Sequence, residues 1–209
     1  MATQPFPLDF PADIDRTAAS IVVDQASGHP LGTGFYFLRP KYFVTAKHVV
    51  MDRTTGCVRD QLVLMQRGPD YPRVVECFVH PTLDLAVLEI DRPVCEIPLY
   101  PSHQRLAGHR GLRYWGYAPT RSNTETQEYQ VLVVDVPSYS LEPLRERDDG
   151  CEQVLRFDTD FAETGHSGGP VLAVGGGVCA VIIEGHSGWA RATEIQPLMS
   201  FVELRLESG

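Results

Sequence analysis

The feature of this chain that most constrains its fold is a succession of short strand-like segments, each closed by turn residues. The segments are rich in Val, Ile, Tyr and Phe, and clusters of Gly, Pro, Asp and Ser separate them. Many short strands with frequent turns are typical of barrels and sandwiches rather than of alternating helices and strands. The sequence therefore predicts an all-β protein. The candidate strands are residues 19–24, 33–38, 42–46, 60–66, 73–79, 84–90, 112–117, 128–136, 153–158, 170–174, 178–184 and 191–195.

Two further segments complete this organisation. Residues 92–108 contain three prolines and show no sustained hydrophobic period, so they are the best candidate for a linker between two halves. Residues 196–205 are predicted to form a short C-terminal helix, because a proline lies in the first turn and a glycine follows near its end. A chain of 209 residues can hold one large domain or two of about 100 residues each.

The charge and hydrophobicity of the chain argue against several classes of partner. The net charge of −9 speaks against nucleic acid, since binding to a phosphate backbone depends on clustered Lys and Arg. An acidic surface also gives no reason to expect adhesion to anionic membranes. No apolar run approaches the ~18 residues of a membrane-spanning helix. We therefore expect neither nucleic acid nor a membrane as a partner.

The cysteines and the N-terminal segment indicate a cytoplasmic protein. The cysteines are odd in number, widely spaced and without a CxxC pair, which speaks against a disulfide scaffold or a zinc site. They are Cys57, Cys77, Cys95, Cys151 and Cys179. Residues 1–17 have neither the basic nor the apolar region of a signal peptide. We expect reduced thiols, a cytoplasmic location, and no metal or cofactor.

Ser167 stands in the segment ETGHSGGP, whose composition suits a nucleophilic serine. Gly165 lets the chain turn tightly enough to aim its own N–H and that of Ser167 into one pocket, where they can stabilise an oxyanion. Gly168 and Gly169 keep the floor of the cleft free of side chains, and Pro170 can begin a strand. For this segment alone, a Ser-Gly-Gly-Pro turn without chemistry is the alternative.

Two residues earlier in the chain could activate this serine. His48 follows an apolar strand in FVTAKHVV, and a neutral imidazole is the natural acceptor for a hydroxyl proton. Asp84 opens the apolar segment DLAVLEI, where a carboxylate is costly to bury unless something pairs with it. Each residue alone could be structural. Their order along the chain, His48, Asp84 and Ser167, is that of the chymotrypsin-type triad.

These segments resemble the trypsin-like serine peptidases, and among them the disulfide-poor bacterial branch that includes the HtrA catalytic domains. The matching segments are GTGFYF, FVTAKHVV, DLAVLEI, ETGHSGGP and AVIIEGHSG, which lie within residues 32–195. The resemblance implies two six-stranded antiparallel β-barrels with the active site between them. The first, residues 1–100, would carry His48 and Asp84. The second, residues 101–209, would carry Ser167 and the C-terminal helix.

The same resemblance assigns substrate-binding residues. The strand segment Ile183, Glu184 and Gly185 would dock a substrate strand through main-chain hydrogen bonds. The base of the first specificity pocket lies six residues before the nucleophile in this family, at Phe161, which favours small or medium apolar side chains. Asp160, one residue away, together with Glu184 on the wall, would instead favour a basic side chain.

The chain departs at three points from the proteins that it resembles. Secreted trypsins carry an aspartate before the nucleophile that pairs with a newly cut N-terminus, and here that position is His166. No cysteines bracket His48 to form the usual disulfide. Because the sequence ends soon after the predicted helix, we expect no PDZ domain like that of HtrA proteins.

These observations predict a serine endopeptidase that cleaves peptide bonds through an acyl-enzyme on Ser167. Its partner would be a protein or peptide substrate, with a dedicated partner or effector protein as an analogy. The alternatives are a catalytically silent trypsin-fold binding module and an esterase that uses the same triad. The segment GHSGG also fits the nucleophile elbow of α/β-hydrolases. That fold requires a helix after the serine and then an acid and a histidine, whereas Gly-Gly-Pro follows and no Asp remains.

Overall fold

The structure is a computed structural model, and the predicted all-β class is confirmed: the residues that it describes form 13 strands and 2 short helices. It describes residues 18–65, 71–92, 95–102, 111–119, 129–136, 139–143, 153–159, 165–186 and 188–206. The strands form two curled antiparallel sheets, as expected of a double barrel. No helix in these ranges is both long and apolar enough to cross a membrane.

The first sheet contains six strands in the order β4-β1-β2-β3-β6-β5. Its strands are β1 Ala19–Asp24, β2 His29–Phe37, β3 Arg39–Thr45, β4 Leu62–Met65, β5 Val74–Val79 and β6 Ala86–Ile90. The sheet curls until its two edge strands meet, through a bridge between Val63 and Arg73. A short helix, α1 Lys47–Val50, follows β3 directly.

The second sheet contains seven strands in the order β8-β7-β11-β12-β13-β10-β9. Its strands are β7 Leu112–Pro119, β8 Tyr129–Val136, β9 Ser140–Pro143, β10 Gln153–Thr159, β11 Pro170–Ala173, β12 Val178–His186 and β13 Gly188–Glu194. Six strands were expected, and the additional one is β9. Its sequence, SLEP, has no β-branched or aromatic residue, so its strand pairing comes from the neighbouring β10 rather than from local preference.

A C-terminal helix, α2 Gln196–Leu206, returns the chain to the first sheet. Leu198 and Val202 are buried in the same apolar cluster as the side chains of β2, β3 and β6. The ring of Phe201 packs against that of His80, with 5.4 Å between their centroids. The helix therefore fastens the second half of the chain onto the turn that precedes β6.

Candidate active site

His48 and Asp84 lie side by side at one end of the first sheet. His48 is in α1, directly after β3, and Asp84 lies two residues before β6. Strands β3 and β6 are antiparallel neighbours in which Thr45 pairs with Ala86. The residues after Thr45 therefore face those before Ala86, and the register of this strand pair places Asp84 against His48.

Both oxygens of the Asp84 carboxylate contact His48. Oδ1 accepts a hydrogen bond from the backbone N–H of His48 at 2.9 Å, and Oδ2 lies 2.7 Å from its Nδ1. Because an ionised carboxylate can only accept, Nδ1 carries the proton and Nε2 is the basic nitrogen. Both side chains keep about a third of their surface exposed, 31% for His48 and 34% for Asp84. The imidazole is thus held in one tautomer and remains accessible to a ligand.

The turn that precedes Asp84 is shaped by His80. Its Nδ1 accepts hydrogen bonds from the N–H groups of Thr82 at 3.3 Å and Leu83 at 3.0 Å. Its carbonyl accepts a hydrogen bond from Nζ of Lys47 at 3.2 Å. The imidazole itself is therefore the acceptor that orders the turn.

Ser167 lies on a loop, residues 165–169, that leads into β11. Gly165 and Gly168 have φ angles of +108° and +89°, in the left-handed region that favours glycine. A Cβ on Gly165 would lie 2.6 Å from the carbonyl oxygen of Tyr117, and one on Gly168 would lie 2.0 Å from that of Thr33. The loop therefore requires glycine on both sides of Ser167, for its backbone angles and for its close approach to two strands.

The loop brings Ser167 to the end of the first sheet that carries His48. Its carbonyl accepts a hydrogen bond from the N–H of Thr33 on β2 at 2.8 Å. A Cβ on Gly168 would lie 3.0 Å from the backbone nitrogen of Ala46, two residues before His48. Within the part of the chain that the structure describes, the Ser167 hydroxyl makes no hydrogen bond to His48. In enzymes without substrate such bonds are often long or poorly aligned and tighten only when substrate binds.

In the loop of residues 165–169, the backbone carbonyl groups and the backbone N–H groups differ in their hydrogen bonding. The carbonyl of Gly165 accepts a hydrogen bond from the Thr33 hydroxyl at 2.5 Å, and that of His166 accepts one from the N–H of Gly169 at 2.9 Å. By contrast, no described residue accepts a hydrogen bond from the N–H of Gly165 or of Ser167. Two such backbone donors, fixed in advance, can stabilise a developing oxyanion.

His166 is buried beneath the loop and points away from the cleft. Only 1% of its surface is exposed, and its ring centroid lies 5.6 Å from that of Tyr114. A Cβ on Gly116 would lie 2.5 Å from its Cδ2, so the imidazole packs directly on the backbone of β7. Burial lowers the pKa of His166 from 6.5 to about 4, because the charged form loses its hydration. The side chain is therefore neutral at pH 7 and carries no charge with which to pair an N-terminal amine.

The segment expected to dock substrate forms part of β12, next to the Ser167 loop. The pairing of β12 with β13 shifts register between Ile182 and Glu184, which leaves Ile183 in a bulge. The N–H of Gly168 donates to the Ile182 carbonyl at 2.7 Å and so ties the loop to this bulge. Ile183, Glu184 and Gly185 are all partly exposed.

The Glu184 carboxylate already has two neighbours on the second sheet. His186 Nε2 lies 3.1 Å from one oxygen, and Arg191 donates to the other at 3.4 Å. The other two residues assigned to the specificity pocket, Asp160 and Phe161, lie outside the described residues.

Thr33 is not among the site residues predicted from the sequence, although it contacts the Ser167 loop at two points and is fully buried. The available signal was a lone hydroxyl between two glycines in an apolar strand, since a buried hydroxyl requires hydrogen-bonding partners.

Across the described ranges, no group of His, Cys, Asp and Glu side chains is arranged to hold a metal ion. The described cysteines, Cys57, Cys77, Cys95 and Cys179, are free thiols.

Comparison with known proteins gives two kinds of match. The family described as trypsin-like peptidase domain matches residues 32–181. Among curated proteins, none matches the chain. The active form of the Rv3671c protease from M. tuberculosis is similar in structure, with a TM-score of 0.64 and 18% identity over 96% of this chain and 89% of that one.

Two other solved structures share the fold. A serine protease of a human pathogenic astrovirus has a TM-score of 0.56 and 18% identity, over 87% of this chain and 91% of that one. The HtrA-type protease AlgW, solved with a decapeptide, has a TM-score of 0.57 and 20% identity. That comparison covers 85% of this chain but only 52% of the AlgW chain.

Proposed function

Because the chain belongs to the family of trypsin-like peptidase domains and is a serine endopeptidase, we propose that it processes a specific protein substrate inside the cell through an acyl-enzyme on Ser167. The observation that carries this proposal is the double contact of the Asp84 carboxylate with the backbone N–H and Nδ1 of His48. A structural ion pair would not require the carboxylate to fix both the position and the tautomer of an accessible imidazole.

The proposed reaction assigns one task to each group. Nε2 of His48 takes the hydroxyl proton as Ser167 attacks the carbonyl carbon of the substrate, and Asp84 stabilises the imidazolium that forms. The N–H groups of Gly165 and Ser167 donate to the oxyanion. The imidazolium then gives its proton to the leaving amine, the C–N bond breaks, and water hydrolyses the remaining ester by the same route in reverse.

Substrate would bind as an additional strand along Ile183, Glu184 and Gly185. The bulge in β12 supports this, because it interrupts regular pairing beside the nucleophile and re-aims the backbone there. Main-chain hydrogen bonds would hold the substrate strand, and pockets for alternate side chains would select it.

We favour small or medium apolar residues at the position before the cleaved bond. The contacts of Glu184 with His186 and Arg191 support this, since they occupy the carboxylate that would otherwise attract a basic side chain. A peptide library would measure the preference directly. Efficient cleavage after Arg or Lys that is lost in Asp160→Ala would overturn the apolar assignment and place the acidic residue in the pocket.

The nucleophile is tested with a fluorophosphonate probe, which forms a covalent bond with activated serines. Wild type should be labelled and Ser167→Ala should not, with the fold of both verified by circular dichroism. Ser140→Ala, which removes an exposed hydroxyl on β9, is the matched control and should be labelled like wild type. Labelling of Ser167→Ala at the wild-type rate would refute the assignment.

A further inference from the structure

We propose that Thr33 is a positioning residue, which holds the Ser167 loop, residues 165–169, in the conformation that presents its N–H groups to the oxyanion. This proposal rests on the proposed function of Ser167, Gly165 and their N–H groups. Thr33 lies on β2 of the first sheet, whereas the loop belongs to the second, so the residue acts across the interface between the two.

Every polar atom of Thr33 has a partner. Its N–H donates to the Ser167 carbonyl at 2.8 Å and its hydroxyl donates to the Gly165 carbonyl at 2.5 Å. The same hydroxyl accepts the N–H of Tyr117 on β7 at 2.9 Å. Its carbonyl accepts the hydroxyl of Thr45 at 2.7 Å. Since Thr33 is 0% exposed, no water can replace these bonds without reorganisation of the core.

These bonds determine which way the loop backbone faces. Thr33 donates its hydroxyl and its N–H to the carbonyls at both ends of the segment from Gly165 to Ser167. Peptide groups are planar, so these bonds also fix the N–H groups of His166 and Gly168. The two peptide groups held in this way lie on either side of the one that carries the Ser167 N–H. With those carbonyls turned towards the protein, rotation of either peptide group into the cleft would leave the Thr33 hydroxyl or N–H buried without an acceptor.

Thr33 also connects the loop to the element beneath it. Its hydroxyl joins the Gly165 carbonyl to the N–H of Tyr117, and the Tyr117 hydroxyl donates to the Ala19 carbonyl at 3.1 Å. Secreted trypsins are expected to order this loop through an inserted N-terminal amine, for which buried His166 offers no carboxylate. In this protein, hydrogen bonds from the first sheet can order the loop instead, and Thr33 donates two of them, to the carbonyls of Gly165 and Ser167.

The test compares variants that differ in the hydroxyl but not in side-chain volume. Thr33→Val keeps the shape and removes the hydroxyl, and Thr33→Ser keeps the hydroxyl. Ser20→Ala is the control for loss of a buried hydroxyl in the same sheet. Ser20 is 1% exposed, donates to the Met65 carbonyl, and makes no hydrogen bond to the described residues of the loop. The probe is a fluorophosphonate, whose phosphoryl oxygen takes the place of the oxyanion, with its maximal labelling rate and half-saturating concentration measured separately.

We expect Thr33→Val to lower the maximal labelling rate by about 10²-fold, comparable to removal of an oxyanion donor, with little change in the half-saturating concentration. Thr33→Ser and Ser20→Ala should stay within about threefold of wild type. If Thr33→Val does not fold, Thr33→Cys takes its place, since a thiol fills the site but donates weakly, and it should label at least about tenfold more slowly than Thr33→Ser.

The outcomes separate this proposal from the one on which it rests. If Thr33→Val labels at the wild-type rate, or if Ser20→Ala labels as slowly as Thr33→Val, the proposed role of Thr33 is wrong. Neither result would contradict the proposed function of Ser167. A Thr33→Ser protein as slow as Thr33→Val would show that shape rather than the hydroxyl matters, and would also overturn it. If Ser167→Ala is labelled like wild type, the proposed function itself is wrong.

Discussion

The buried imidazole of His166 should make the protein lose stability in mild acid, and a non-titrating replacement should remove that loss. In the unfolded chain a histidine has a pKa near 6.5, whereas burial lowers the pKa of His166 to about 4 in the folded protein. Between these values the unfolded chain binds a proton that the folded protein does not. Acid therefore stabilises the unfolded state in this range, and the free energy of unfolding falls as the pH falls.

The size of the effect follows from the distance between the two pKa values. The free energy of unfolding should fall by about 1.4 kcal/mol per pH unit below pH ~6.5, and the loss should be complete near pH ~4, at about 3 kcal/mol in total. Between about pH 7 and about pH 4.5 the His166 contribution is about 2 kcal/mol. With only 1% of the residue exposed, solvent screening reduces this little.

The assay is urea unfolding of wild type and His166→Gln at those two pH values, followed by tryptophan fluorescence. Carboxyl groups elsewhere titrate equally in both proteins, so they cancel when the two pH dependences are subtracted. We expect wild type to lose about 2 kcal/mol more than His166→Gln on acidification, whatever the stability of the variant at neutral pH. Equal pH dependence in the two proteins would refute the argument, because it would mean that His166 is not desolvated in the folded state.

Three further predictions concern catalysis. Asp84→Asn should lower kcat on the order of 10⁴-fold. The amide oxygen would keep its hydrogen bond from the His48 backbone N–H, so the NH₂ group would face Nδ1 and select the wrong tautomer of the imidazole. A loss of kcat under about tenfold in steady-state assays would contradict this. A protein with a blocked or tagged N-terminus should be as active as one with a free N-terminus, and activity that appears only after cleavage near residues 16–21 would instead identify a zymogen. A mild thiol reductant should leave activity unchanged, since the described cysteines are free thiols; strong inactivation would show that the expectation of reduced thiols is wrong.

Much of the fold could be predicted from local sequence, because strand preference and turn chemistry are local properties. Strand β1 occupies residues 19–24 as expected, and α2 begins at residue 196 as expected. Local preference failed where pairing decided the outcome. The strand β9 has no β-branched or aromatic residue, and β2 begins at His29, four residues before its predicted start, because residues 29–32 pair with β1.

The candidate site likewise has features that local sequence predicts and features that depend on contacts between distant residues. The identity and order of the proposed triad, His48, Asp84 and Ser167, could be predicted from the sequence, because proton transfer restricts the residue types and the neighbouring segments restrict their positions. How the backbone around these residues is held depends instead on contacts between the two sheets. Thr33 lies 132 residues from Gly165 in the chain, and no periodicity or local motif connects the two. Their contact exists because two sheets meet there, and a buried hydroxyl at that junction must find its partners across the interface.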